Sequence, residues 1–484
     1  MWVLYSEIKE THKRVSYFNL FVGLDESMAK KEYDLIVIGA GGAGSTAATS
    51  AASMGKRVAL IERDKLGGTC LNYGCDPTKT LLHTAHLLYH ARHASSLGLR
   101  FPQAEADWAA VQAHVRQVQK TIRGGTLEQA RAGIAAQGID LFMGEAMFTS
   151  PHEICVNGET LTGRRFVIAT GTTAFIPDIE GLSETGYITN VEAVSLLELP
   201  KRLVVIGAGP IGLEFAQMFS RFGVKVDVLE REKQPLPRED SELAMALCSQ
   251  LRAEGIRLEF SSEMRCGEIN KRGKHIHIHG AKGKEEELVA DQILVVVGRQ
   301  PALNALNLET AGVQYTDKGI PTDAILRTNV AHIWAAGDIT SQYQFSHVAA
   351  AQGKLVAHNV FARKPQAFDD RIIPWVTFTD PELARVGMTE ADLQESKIKY
   401  RVGRVDFKKL DRAITTDQTC GSVKLLAGAD GKILGGHILG ANAGDLIASV
   451  VYAMRFGLTV KMMAEAMLPY PTMAEAVRGA AAQL

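Results

Sequence analysis

Apolar residues in this chain come in short, closed runs. Tyr33–Ile38 is one, and it breaks into Gly39-Ala40-Gly41-Gly42-Ala43-Gly44 before a stretch rich in alanine. A short apolar run bounded by glycine reads as a buried strand, and the alanines after it read as a helix. Arg57–Ile61 predicts the next strand, closed by Glu62. The same order recurs downstream: the strand Leu203–Ile206, the loop Gly207-Ala208-Gly209-Pro210-Ile211-Gly212, then the strand Lys225–Leu229 with Glu230 at its end. Each acid lies 23 positions after the first glycine of its loop. Three more segments read as strands ending in glycine turns: Ile168-Ala169-Thr170-Gly171, Val297-Gly298-Arg299-Gln300-Pro301 and Ile333-Trp334-Ala335-Ala336-Gly337-Asp338.

Strand, glycine loop, helix, strand and acid together make a Rossmann βαβ unit. Its glycines permit a tight turn and close approach to a pyrophosphate, and the acid can bind a ribose hydroxyl. Repetition argues for two dinucleotides in one chain. The first would use Gly39, Gly41, Gly44 and Glu62, the second Gly207, Gly209, Gly212 and Glu230. Asp338 at its turn could accept a hydrogen bond from a polyol, or stand as a surface turn carboxylate.

From about residue 366 the pattern changes. Val376–Thr379 is strand-like and precedes Asp380-Pro381-Glu382; further strands fall at Gly421–Leu425 and Ile433–Leu439. Helical stretches follow at Ala443–Phe456 and Lys461–Met467. The expected class is α/β, with two Rossmann-like dinucleotide-binding domains and an α+β C-terminal dimerisation domain. The expected bounds are 31–180 with 316–365 for the first nucleotide domain, 181–315 for the second and 366–484 for the tail. Residues 1–30 lack a secretory or transit pattern and read as an extension, disordered or preceding a second start at Met28.

Composition narrows the function classes. The chain is 46% hydrophobic and 22% charged with net charge −1, so no electrostatic case exists for nucleic acid. No apolar run approaches the 18 residues of a membrane span. Six cysteines in 484 residues are no extracellular disulfide framework. They fit a reducing, cytoplasmic compartment. Cys155, Cys248, Cys266 and Cys420 have no paired spacing and read as packed side chains.

The other two are paired. Cys70 and Cys75 sit in Gly67-Gly68-Thr69-Cys70-Leu71-Asn72-Tyr73-Gly74-Cys75-Asp76-Pro77-Thr78-Lys79. Positions i and i+5 of an ideal helix lie about 8.6 Å apart. That exceeds the roughly 7 Å reach of a disulfide, so a bridge needs an irregular turn, which Asn72 and Gly74 suit. Asp76 then reads as an N-cap and Pro77 as the first helical residue, with Cys75 at a helix N-terminus that favours a thiolate. In a sharper reading, the Asp76 charge raises the Cys75 pKa and shifts the potential of the pair.

With these motifs in order, the chain resembles the flavoprotein disulfide reductases: dihydrolipoyl dehydrogenase, glutathione reductase and mercuric reductase. The resemblance runs from about Lys31 to near the C-terminus. It implies FAD on the first unit, with Gly68, Thr69, Lys79, Thr170, Gly171, Asp338 and His347 added to its loop and Glu62. It implies a nicotinamide on the second unit, with Arg231 and Gly298 added; Glu230 favours NADH. Lys79 would pair with Glu214 near the flavin, and Phe345-Ser346-His347 would open a helix there. The tail would form a homodimer whose active sites each need both subunits. Electrons would pass from NAD(P)H through FAD to a Cys70–Cys75 disulfide, with Cys75 on the flavin side and Cys70 outward.

One position separates the members of this family. Thiol-handling members carry His-Pro-Thr in the tail with a Glu five residues after the His. Here Tyr470 stands in place of the His and Glu475 follows. A phenol of pKa near 10 replaces an imidazole near 6.5, a gap worth about 5 kcal/mol if the group must lose its proton. Mercuric reductases resemble this segment in Pro-Tyr-x-Thr-Met-x-Glu, and a phenol beside two thiolates suits a soft metal ion. Those enzymes also end in a vicinal cysteine pair, whereas no cysteine follows Cys420 here. The expected acceptor is therefore a metal ion or a small disulfide. Dihydrolipoyl dehydrogenase is the alternative enzyme, and a flavin-binding interaction protein with incidental diaphorase activity is the alternative class.

Overall fold

The run Leu35-Ile36-Val37-Ile38 is fully buried because helices and sheets cover it on both faces. In a computed structural model of the chain, which describes residues 31–484 apart from 272 and 341, it forms the middle of a parallel five-stranded sheet. The order is Ile333–Ala335, Phe166–Ile168, Leu35–Ile38, Val58–Glu62, Ile139–Met143. Leu35 pairs with Val58, and Ile36 with both Ala59 and Phe166. The expectation for residues 1–30 lies outside the described residues.

One face of this sheet takes the helix Gly42–Ser53, whose buried residues are alanines and one glycine. Small side chains let it pack closely on the helix Ser346–Phe361. A Cβ at Gly353 would meet Ala43 O at 2.2 Å. The other face takes a four-stranded sheet through Phe148, Ile154 and Leu161. Tyr33–Ile38 is two strands in two sheets, because Lys31–Tyr33 pairs with Glu159–Gly163. Asp34 marks the crossing, exchanging hydrogen bonds with Arg57 through its N–H and carboxylate. Apolar periodicity does not see such a change of sheet.

The second unit repeats the first. Arg202–Ile206 lies between Lys225–Glu230 and Gln292–Val295 in a parallel sheet, with Arg257–Phe260 at the edge. Its helix Pro210–Arg221 is almost wholly buried. A three-stranded antiparallel sheet, Glu263–Asn270, Gly273–His279 and Glu285–Ala290, accompanies it.

The tail forms a five-stranded antiparallel sheet in the order Trp375–Thr377, Glu382–Gly387, Ile433–Gly440, Ser422–Ala427, Arg401–Asp406. The helix expected at Lys461–Met467 is Val460–Glu465, started by the Thr459 side chain accepting from Met462 N–H. Tyr452 and Phe456 on the helix Ala443–Phe456 stay 64% and 73% exposed in the protomer, an apolar face without a covering element among the described residues. Arg221 ties the units together. Its guanidinium, 2% exposed, lies 2.9 Å from both Glu254 and Asp380. No helix among the described residues is long and apolar enough to cross a membrane.

Candidate active site

Both glycine loops are shaped by the same contacts. Gly39 and Gly207 have φ of 99° and 109°, and a Cβ at either would strike a carbonyl, Ala169 O at 2.4 Å or Val296 O at 2.7 Å. Gly44 and Gly212 stand behind the loops, where a Cβ would lie 1.8 and 2.0 Å from Gly39 O and Gly207 O. The middle glycines face open space. Nothing lies within 4 Å of a Cβ built at Gly209, and only Gly68 Cα, at 4.0 Å, approaches one at Gly41. Each acid holds its loop in one way: Glu62 accepts from the N–H groups of Ala40 and Asp64, both at 2.8 Å, and Glu230 from those of Ala208 and Glu232, at 2.7 and 2.9 Å. Arg231 points away, 78% exposed beside Glu232.

The loops open into one cleft of about 2090 Å³ that runs between them. Thr69, Gly171, Gly298, Asp338 and His347 line it with the two cysteines. Thr170 lines it too, with a buried hydroxyl lacking a partner among the described residues. Open middle glycines, an acid at the end of each second strand and an orphaned hydroxyl fit two dinucleotides, one per loop.

The cysteine segment lies directly on the first loop, since a Cβ at Gly68 would be 2.7 Å from Gly41 Cα. Gly68–Tyr73 is a short helix, Gly74 breaks it, and Cys75–His93 is a second helix. Gly74 therefore makes the expected irregular turn, whereas Asn72 does not. Asn72 is buried inside the first helix, donating to Leu66 O and Gly68 O. Asp76 is not an N-cap either. The second helix starts at Cys75 with Gly74 as its cap, so Asp76 and Pro77 sit within its first turn, where Pro77 has no orphan N–H to lose.

Cys75 and Cys70 are free thiols, and the Ser346 hydroxyl lies 3.2 Å from Cys75 Sγ. Ser346 is the first residue of its own 16-residue helix, as Cys75 is of a 19-residue one. Two helix N-termini thus converge on one sulfur, a favourable place for negative charge. The hydrogen bond from Cys70, the Ser346 hydroxyl and the Lys79 ammonium pull the Cys75 pKa below that of an ordinary thiol; burial and Asp76 oppose them. Cys70 is pushed far up, first by its bond to Cys75 and then by burial. The pair therefore loses its first proton from Cys75.

Lys79 Nζ lies 2.7 Å from Glu214 Oε2 and over the Phe378 ring, and Glu214 Oε1 accepts from Phe378 N–H at 2.8 Å. Asp338 accepts from the Thr172 hydroxyl at 3.3 Å, and burial raises its pKa. Arg299, unassigned from sequence, donates to the Thr172 hydroxyl and carbonyl, both at 2.8 Å, close to Asp338 and Cys75. Its signal was the turn Val297-Gly298-Arg299. Trp375 and Glu239 had no sequence signal. Trp375 stacks on Phe345, which stacks on His347, and its indole donates to Glu239 at 2.5 Å. Burial pushes the Glu239 pKa up to about 7.

Tyr470 and Glu475 do not line the cleft of their own protomer. Tyr470 is 71% exposed and donates to Asp411 at 2.5 Å, which raises its pKa, and Glu475 accepts from Thr472 N–H.

Residues 33–353 match the family described as pyridine nucleotide-disulphide oxidoreductase, and residues 373–481 match its dimerisation domain. A mercuric reductase of Staphylococcus aureus is 37% identical over 457 residues, 93% of this chain and 82% of that protein. A dihydrolipoyl dehydrogenase of Thermus scotoductus is 36% identical over 462 residues, 94% of this chain and 98% of that protein. Among solved structures, the Cu(II) complex of the HOCl-induced flavoprotein disulfide reductase RclA from Escherichia coli superposes with a TM-score of 0.84. It is 29% identical and covers 94% of this chain and all of its own.

Proposed function

The chain belongs to the pyridine nucleotide-disulphide oxidoreductases, and from that premise we propose a mercuric-reductase-like activity, in which electrons from NADH reach Cys70 and Cys75 and then a soft metal ion. Its family is one of enzymes using FAD and NAD(P)H, so the alternative of a non-enzymatic flavin-binding protein is set aside. The C-terminal dimerisation domain makes it a homodimer, and the exposed face around Tyr452 and Phe456 belongs to that contact. The domain bounds given from sequence are part of the proposal.

One observation carries the choice of acceptor. Tyr470 occupies the tail position where a disulfide-reducing member needs a base, and its hydroxyl is committed to Asp411. It can ligate or donate near neutrality, but it does not accept a proton there. A metal ion needs ligands rather than a base.

FAD would rest on Gly39, Gly41, Glu62, Thr170 and Asp338, the nicotinamide on Gly207, Gly209 and Glu230. Bound flavin supplies transfer of a hydride from the nicotinamide as an electron pair to sulfur. The protein's share is to hold protons and charge. When the Cys70–Cys75 bond takes two electrons, Cys75 leaves as a thiolate held by Lys79, Ser346 and the two helix ends. Cys70 takes one proton and meets the acceptor. When the S–S bond re-forms, Cys70 returns its proton and two electrons leave, enough for one Hg(II) to Hg(0) or two Cu(II) to Cu(I).

Dihydrolipoyl dehydrogenase is the second reading, favoured by the Thermus scotoductus relative, which this chain matches over nearly its full length. Steady-state turnover with Hg(II), Cu(II), lipoamide and glutathione disulfide separates the two. Turnover of lipoamide above that of either metal overturns the metal reading.

A further inference from the structure

Behind the Gly68–Tyr73 helix lies a second cavity of about 390 Å³, which shares Lys65 and Tyr73 with the wall of the large cleft. Its outer wall is one face of the helix Trp108–Ile122 and its C-cap Arg123. Gln112, Val115, Arg116, Gln119 and Arg123 follow helical spacing along that face. The buried residues of this helix are Val111, Gln112 and Val115, and beside them Arg116, Gln119 and Arg123 give the cavity a polar and cationic strip. Gln112, Val115 and Val194 are buried, with Gln112 donating to Val194 O, while Lys65 and Arg116 are exposed to solvent. Lys65 adds a third cation, held over the Tyr73 ring. The lining holds no aspartate or glutamate, and the Tyr73 hydroxyl donates to Asp64. Leu66, Val115, Leu127 and Val194 supply apolar walls.

This wall also grips the cysteine-bearing helix. Gln119 Nε2 donates to Leu71 O and Asn72 O at 3.0 and 3.1 Å, and Arg123 donates to Asn72 Oδ1 at 2.9 Å. Those carbonyls end the helix that carries Cys70.

We propose that this cavity is a regulatory site for a small anion bearing a carboxylate or phosphate on an apolar body, and that its occupant acts on Cys70 through Arg123 and Gln119. Lys65 and Arg116 receive the anionic group, and the apolar walls receive the rest. An anion that also engages Arg123 competes with Asn72 Oδ1 and loosens the end of the redox helix. The inference is independent of which acceptor the enzyme uses.

The test uses the flavin-loaded dimer at constant ionic strength. Phenyl phosphate, benzoate and inorganic phosphate are titrated calorimetrically, and iodoacetamide alkylation of Cys70 is timed in the Cys75→Ser protein with and without probe. Saturable binding of phenyl phosphate or benzoate at one site per chain is expected, at least about tenfold tighter than inorganic phosphate. Arg116→Ala, which touches neither the redox helix nor the large cleft, should weaken it by about tenfold or more with flavin content unchanged. Bound probe should change the alkylation rate. No saturable binding, unchanged affinity in Arg116→Ala, equal affinity for inorganic phosphate, or an alkylation rate indifferent to bound probe overturns the proposal.

Discussion

Ser346 Oγ lies 3.2 Å from Cys75 Sγ across 271 residues of sequence, so the first residue of one long helix contacts the first residue of another. A hydrogen bond to a charged group is worth about 1.5–3 kcal/mol, or about one to two pKa units. Ser346→Ala should raise the Cys75 pKa by that much. The thiolate is the reactive form, so the pH profile of iodoacetamide alkylation in the reduced Cys70→Ser background should move to higher pH. An unmoved profile means the hydroxyl does not support the thiolate.

The two thiols should separate by spectrum. Cys70→Ser should keep the long-wavelength thiolate–flavin band after one equivalent of NADH and lose turnover. Cys75→Ser should lose the band itself. Retention of the band in Cys75→Ser would reverse the two assignments.

Glu230 holds the second loop through Ala208 N–H, where its charge would repel a 2′-phosphate, while Arg231 stays with Glu232 in solvent. NADH should therefore be preferred over NADPH by at least about tenfold in kcat/KM. Glu230→Ala should narrow that ratio chiefly by weakening NADH. A natural preference for NADPH contradicts the assignment.

Tyr470 is tested by exchange. Base assistance is typically worth about 10²–10⁴-fold, so lipoamide turnover should be low in the natural chain and rise in Tyr470→His, with Glu475 nearby. Tyr470→Phe should lower metal-ion reduction and leave stopped-flow flavin reduction by NADH intact. Efficient natural lipoamide turnover, unchanged in the Phe variant, restores the dihydrolipoyl dehydrogenase reading.

Glu239 gives a pH signature. Its folded pKa, about 7, lies above the 4.5 of an ordinary glutamate, so the protonated form suits the fold. Its contribution is complete below pH 4.5 and is lost as pH rises through 7, on the order of 3 kcal/mol. Glu239→Gln keeps an acceptor for the Trp375 indole and removes the charge. The variant should melt higher than the natural protein at pH 8 and match it at pH 4.5. Parallel melting curves at both pH values would refute the assignment.

The sequence by itself determined the repeated nucleotide units, the class of the fold and the cysteine pair. Each rests on local requirements. A glycine with φ near 100° and no room for a Cβ can be read from spacing, and so can an acid 23 positions on that closes the next strand. Gly74 as the break between the cysteines was legible for the same reason. Where two local readings competed, tertiary packing chose between them: Asn72 was drawn into a helix by Leu66 O and Gly68 O, and Tyr33 into a different sheet from Leu35. What only the tertiary structure decided is the electrostatics of the site. Ser346 on Cys75, Arg299 on Thr172 beside Asp338, and Trp375 on Glu239 join residues more than 100 positions apart. Such contacts leave no periodicity along the chain, because a hydrogen bond depends on distance in space, and that distance is fixed only when the sheets and helices between the partners have packed.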